Sequence, residues 1–299
     1  MISSEHVDVF KRFIAAEYGY ISPRGLPLCW PVTPYWVPER GVLAIATGVA
    51  YPRKADYAKL TPEVALYFSD PTGSGIPNAP CILVKGRATV LDQDLQENTD
   101  RYVKAIRQKF SSARLAVNNL TAKLLDFYLP RLWVEIEPTS IEERPHGSSP
   151  TTSSRPLIGT GKTLNDQDRS RVVQLASRFD DAVLTVVDEN GYPDMTRMAI
   201  AGSGNGKILL ERPGPSGDAV LALHQHSMGG TRFHAYMLRG GIDASRSNEF
   251  STERIVGFFG NGALFPLSVI PQIADKRRSL KRELRKRGQP MPKLRVPPD

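Results

Sequence analysis

The chain has 299 residues, 40% of them hydrophobic and 23% charged, a balance that fits a globular protein of one large or two ordinary domains. It has no run of 18 apolar residues, which excludes a membrane-spanning helix, and its start, MISSEHVDVFKRF, lacks the basic-then-apolar order of a signal peptide. The net charge of +8 is local: from Lys276 to Asp299 ten Lys and Arg stand against two acids, so the body is neutral overall and does not read as a nucleic-acid binder.

In chain order, Ser3 or Ser4 is placed to cap a first helix that presents Val7, Phe10 and Ile14. A hairpin signal, SPRGLP with Gly25 and Pro27, leads into an apolar strand expected over Cys29–Trp36. After a turn at Gly41 comes the strand VLAIAT, then a basic turn with Arg53 and Lys54 that opens a short helix. Paired cations at a helix start suit a phosphate, because the first turn also offers unpaired N–H groups. The strands VALYFSD and ILVKGRATV follow, then helices near Leu95–Phe110 and Arg114–Tyr128 and a strand over Leu132–Ile136.

The Ser/Thr/Pro/Gly-rich stretch 146–162 reads as a linker. Its end, Gly159 to Thr163, hints at a phosphate-binding glycine loop, but Pro156 stands where the first glycine belongs and no strand precedes it. Beyond the linker the pattern repeats. Asn165 caps a helix that presents Val172, Leu175 and Phe179, and DENGYP gives a hairpin with a type I′ signal at Asn190-Gly191. TRMAIAG, KILLE, AVLALHQH and AYMLRGGID then follow, with Arg239-Gly240 aligned on Lys85-Gly86. Gly25 to Gly86 spans 61 residues and Gly191 to Gly240 spans 49; the difference of 12 is about the size of the basic turn and helix, which the second copy lacks. The boundaries expected are 1–145, a linker at 146–162, a second unit at 163–270 and a basic tail at 271–299.

Cys29 and Cys81 lie in apolar runs and read as buried free thiols, which fits a cytoplasmic protein. His224 and His226 share one strand face, and imidazoles in that spacing suit a metal or a haem iron. No Cys or acid near them in sequence completes a set, so the plainer reading is polar residues at a barrel rim. Trp30, Trp36 and Trp133 read as core or cleft lining. The tail KRRSLKRELRKR reads as a solvated end, with contact to nucleic acid or an anionic membrane as the other uses of such a charge block, and its prolines stop any helix after Gly288.

Residues 5–140, and more weakly 165–260, resemble the FMN-binding split barrel of the pyridoxamine 5′-phosphate oxidase-like superfamily. The resemblance rests on Thr47 at a strand end, Arg53-Lys54, the pattern Lys54, Leu60, Pro62, Val64, and the strand Val84 to Val90 through Gly86. It implies a mainly β fold with flanking helices (α+β): two split β-barrels in tandem, making within one chain the dimer that relatives make from two, with a further homodimer left open. It also implies a flavin-dependent oxidoreductase acting on a small molecule through FMN, with the deazaflavin F420 as the alternative cofactor and haem behind it. A non-catalytic flavin or haem binder is the alternative of another class. By the resemblance Pro31, Val32 and Thr33 run along the flavin ring, Thr47 and Ser69 hydrogen-bond the cofactor, and Arg53 and Lys54 hold its phosphate. Arg197, Arg212, His224 and Gln225 are the candidates from the second half. No general acid or base is assigned, and the C-terminal Arg/His motif of the true oxidase is absent.

Overall fold

A computed structural model describes residues 2–110, 126–145, 148, 164–227, 232–261 and 270–293. The expected helix near Arg114–Tyr128, the linker and the glycine-rich 159–163 stretch lie wholly or mostly outside them.

The first half comprises α1 (Ser4–Arg12), β1 (Ala16–Ile21), β2 (Pro27–Val32), β3 (Pro34–Val37), β4 (Val42–Gly48), α2 (Arg53–Leu60), β5 (Glu63–Phe68), β6 (Ile82–Leu91), α3 (Leu95–Lys109) and β7 (Arg131–Glu143). The second comprises α4 (Asp166–Ala176), β8 (Asp181–Val187), β9 (Pro193–Gly204), β10 (Lys207–Leu210), β11 (Gly217–His226), β12 (Arg232–Ile242) and β13 (Glu249–Asn261), before a last helix α5 (Ile270–Arg287). The helix starts follow the expected caps: Ser3 Oγ accepts from the His6 amide at 3.1 Å, and Asn165 Oδ1 from the Asp168 amide at 2.7 Å.

The strands run β2-β1-β5-β6-β7-β4-β3 in the first half and close as β10-β13-β12-β11-β8-β9 in the second. The orders coincide when β9 is matched to β2 and β3 together. The long strand β9 pairs with β8 at one end and β10 at the other, which closes its barrel. The expected single strand Cys29–Trp36 is instead broken at Thr33, next to Pro31 and Pro34, and the sheet is left curled but open. Proline has no amide hydrogen for a ladder and is confined to strand edges and starts, which accounts for the break. The fold is therefore mainly β, two barrel units in tandem.

Local details repeat as well. Ser22 and Asp188 begin equivalent hairpin loops: each amide donates to the carbonyl five residues' span away, at Leu26 and Tyr192, at 2.9 Å. Gly25 and Gly191 sit at φ +77° and +83°, following a type I turn. Asn190 does not have the positive φ that a type I′ turn needs; that geometry falls at Asn205-Gly206, with φ of 49° and 78°. Both aligned dipeptides, Lys85-Gly86 and Arg239-Gly240, mark a register shift in the sheet. A Cβ on Gly86 would lie 2.5 Å from the Glu137 carbonyl oxygen, and one on Gly240 would lie 1.8 Å from that of Ser251. Only glycine fits either bulge.

The halves share a core. Val183, Met195, Val220, Ala222 and Met237 of the second half join the buried cluster of Tyr18, Tyr20, Cys29 and Leu66 of the first. Trp133 is buried and stacks on Tyr35, whereas Trp30 and Trp36 are half-buried against the first core. The basic tail is not a loose end. Leu280 and Leu284 of α5 are buried in that core, and Arg287 donates to Asp56 of α2 and to Asp92. Apolar anchors three to four residues apart make 270–287 an amphipathic helix whose basic face stays outside. It ends at Arg287, ahead of the prolines.

Candidate functional site

Two charged clusters stand out, one at the end of the first barrel and one at the seam between the halves.

The first is built on the 48–54 connection. Thr47 is buried, and its hydroxyl donates to the Tyr51 carbonyl at 3.1 Å, closing the turn that delivers Arg53 and Lys54 to the start of α2. No side chain caps this helix, because Pro52 occupies the cap position. The Ala55 and Asp56 amides bond to the Pro52 carbonyl. The Arg53 and Lys54 amides are first-turn donors with no carbonyl ahead of them in the helix, and no backbone partner is seen for them among the described residues. Arg53 is exposed and Lys54 half-buried. Burial, and after it the charge of Arg131, pulls the Lys54 ammonium down to about 8.

Arg131 opens β7 opposite Gly48. A Cβ on Gly48 would lie 2.9 Å from the Arg131 Nη1, so the glycine leaves room for the guanidinium across the strand end. Arg131 is buried between the rings of Tyr102 and Tyr128, with its carbon 4.3 and 4.0 Å from their centroids, and donates to the Tyr102 hydroxyl at 3.2 Å. Its Nε has no hydrogen-bond acceptor. Among the described residues neither Lys54 nor Arg131 has a carboxylate partner. Tyr102 and Tyr128 outweigh burial and hold the Arg131 guanidinium charged, whereas burial and the Arg131 charge leave the Lys54 ammonium with a cost that a bound anion removes. Together with the open amides of α2, this donor set suits a phosphate.

The seam cluster centres on Glu17, a carboxylate near the start of the wholly buried β1. Its Oε1 accepts from Ser69 Oγ at 2.9 Å, from Arg197 Nη2 at 2.8 Å and from His224 Nε2 at 2.5 Å. Arg197 also donates to Ser69 Oγ at 2.9 Å and pairs with Asp181. Burial acts to raise the Glu17 pKa, but His224 first, then Arg197 and Ser69, outweigh it and hold the carboxyl below its usual range. Burial opposes the charge of Arg197, yet Glu17, Asp181 and Asp70 keep it firmly protonated. Next to this set, His226 lies 3.2 Å from Asp70. Burial works against its charge and the carboxylate outweighs burial, so its pKa is raised. Cys81 is pushed up to about 11 by burial and then by Glu17, and Cys29 is pushed up in the same way, so both are buried, protonated free thiols.

The structure thus brings Ser69, Arg197 and His224 together, but around Glu17. Their polar atoms are largely engaged with one another, which leaves them poorly placed to bind a cofactor. Pro31 and Val32 lie beside this cluster, paired with Glu17 and Ala16 across β1–β2, and Thr33 falls at the strand break. Thr47, Arg53 and Lys54 lie in the other cluster. Gln225 is exposed on the strand face opposite His224, and Arg212 is exposed in the 211–216 connection. His224 and His226 are not rim residues: both are buried, and Asp70 supplies the acid that their own segment lacks. Glu17, Asp70 and Arg131 were missed in the sequence. The signal for Glu17 was an acid inside the apolar run AEYGYI. Asp70 and Arg131 stand at strand ends, where a charge is unremarkable.

No family model and no curated protein matches the chain. Among solved structures it is similar to an F420 reductase, at 16% identity over 46% of this chain and 94% of that one, with a TM-score of 0.32. It is also similar to the conserved hypothetical protein Rv2991 from Mycobacterium tuberculosis, at 16% identity over 50% and 92% with a TM-score of 0.37. A third is a FAD-binding protein from Mesorhizobium loti, at 14% identity over 46% and 87% with a TM-score of 0.31. At these identities and TM-scores the likenesses carry no argument about ligand or activity.

Proposed function

We propose that the first half holds the phosphate of a flavin-type cofactor at Lys54, Arg131 and the open start of α2, and that the protein is an FMN-dependent oxidoreductase acting on a small molecule. The observation that carries this reading is the neighbouring Lys54 and Arg131 without a carboxylate among the described residues. Such a pair is stable in a folded protein when a ligand supplies the missing negative charge. Lys54 and Arg131 would neutralise the phosphate, Arg53 would add charge at the mouth, Thr47 would fix the turn, and Pro31–Thr33 would flank the ring. Bound FMN supplies the hydride or electron chemistry; the protein binds and orients it and limits solvent access. The second half has no helix between β10 and β11, so one cofactor per chain follows.

F420 is the second reading, and a specific observation favours it. Burial first, and then the charges of Arg254 and Arg24, lower the Arg239 pKa, and Tyr20 feels both Arg53 and Arg239. Arginines of both halves therefore gather near the cluster, where the acidic tail of a deazaflavin would meet them.

The test is fluorescence titration of FMN and of F420 into the full chain and into the Arg53→Ala/Lys54→Ala double variant. Each lost charge-assisted contact is worth about 1.5–3 kcal/mol, so the double variant is expected to bind at least about 100-fold more weakly. Unchanged affinity would remove the site assignment. Turnover of a reduced nicotinamide by the loaded protein separates an enzyme from a binder that holds its cofactor without reaction.

A further inference from the structure

We propose that Asp70, His224 and His226 form a binding site for one first-row divalent transition metal ion, of which Zn2+ is the probe, at the seam between the two halves. The three side chains each offer one ligand atom, and these atoms lie within 4.8 Å of one another. Two imidazoles and a carboxylate are a donor set for borderline metals, and three protein ligands leave positions open for water or a small ligand.

The imidazoles are held as metal-binding histidines are held. His224 Nε2 lies 2.5 Å from Glu17 Oε1, and His226 Nε2 lies 3.1 Å from the Thr72 carbonyl oxygen. In the tautomers that place each proton on Nε2, toward these acceptors, Nδ1 carries the lone pair. Carboxylate and carbonyl acceptors on the far ring nitrogen are the usual supports that fix the tautomer and orientation of a ligating histidine. Both side chains are fully buried; among the described residues the His224 Nδ1 has no hydrogen-bond partner, and the His226 Nδ1 faces Asp70 Oδ2 at 3.2 Å. A buried, unpartnered ring nitrogen needs an explanation, and a metal ion shared with His226 and Asp70 provides one. The charge is also right. Glu17, Asp70 and Asp181 supply three carboxylates against the single guanidinium of Arg197, which leaves two negative charges for a dication to balance. The site exists only in the tandem arrangement: β11 of the second half gives the histidines, and the loop two residues past β5 of the first gives Asp70. Asp70 retains some exposure, 17% of its side chain, so an ion enters from its side.

The experiment strips the full-length protein with a chelator, adds back Zn2+ or Co2+, and measures stoichiometry by elemental analysis and affinity by competition with a chromophoric chelator. One ion per chain is expected. Asp70→Asn and His226→Gln should each weaken binding about 100-fold, while His6→Gln, a half-buried histidine of α1 outside the cluster, should leave it unchanged. Because a variant of buried His226 can fail to fold, the ligands are also read in the wild type, by X-ray absorption of the zinc-loaded protein. Two imidazoles in the first shell support the site. A shell without histidine, no binding at micromolar zinc, or wild-type affinity in Asp70→Asn would overturn it.

Discussion

The seam cluster and the α2 cluster both take charge out of water, and they do it in opposite ways. At the seam, Arg197 meets Glu17 and Asp181, Ser69 bridges Arg197 to Glu17, and His224 completes the set. At α2, Lys54 feels the charge of Arg131, which sits between two tyrosine rings, and among the described residues neither has a carboxylate partner. At the seam the pairs of Arg197 with Glu17 and Asp181 fasten the two halves together. At α2 an unpaired cation raises the energy of the empty protein and lowers it again when an anion arrives. The contrast separates an acidic seam, which binds the halves to each other and suits a cation, from a cationic helix start that suits an anion.

The largest effect that tests this contrast is at the seam. Arg197→Ala leaves Glu17 buried with only His224 and Ser69, and should cost about 3–5 kcal/mol, read as a lower urea midpoint. A loss below about 1 kcal/mol, the range of a surface pair, would show that the seam pairs are not fastening the halves. At α2 the sign should reverse. Lys54→Met removes a half-buried, unpaired charge, so the ligand-free protein should be more stable by about 1 kcal/mol while its affinity for FMN falls. A destabilised ligand-free variant would mean that Lys54 already has a compensating partner. The smallest effect is in the pH profile. The Lys54 pKa is about 8 in the folded chain against 10.5 ordinarily, so between those values the unfolded chain binds more protons and wild-type stability rises with pH. Lys109, held down to about 7 by burial, adds to the same rise, so the difference between wild type and Lys54→Met isolates the Lys54 part. Parallel profiles would contradict the assignment.

Much of the fold was legible because it rests on local rules. Caps at Ser3 and Asn165, turn glycines at Gly25 and Gly191, and the bulge dipeptides at Lys85-Gly86 and Arg239-Gly240 each act within a few residues. The break at Thr33 was also written in Pro31 and Pro34, but the apolar run around them reads as a continuous strand. The α5 helix was less visible, since its two buried leucines sit inside a block of charge. The sites were only half legible. Arg53-Lys54 and the i, i+2 histidines announce themselves. Their partners Arg131, Glu17 and Asp70 lie about 77, 207 and 156 residues away in sequence, and only tertiary pairing brings them in. No local pattern encodes a contact of that length.

The most direct measurement is equilibrium dialysis of FMN against the full chain, with bound FMN counted per chain at saturation. The first half alone carries α2 and the Lys54–Arg131 pair, so one FMN per chain is expected. Two per chain would contradict the assignment of the site to the uncompensated cations, because the second half has no counterpart of α2; no binding of FMN or of F420 would remove the flavin reading altogether.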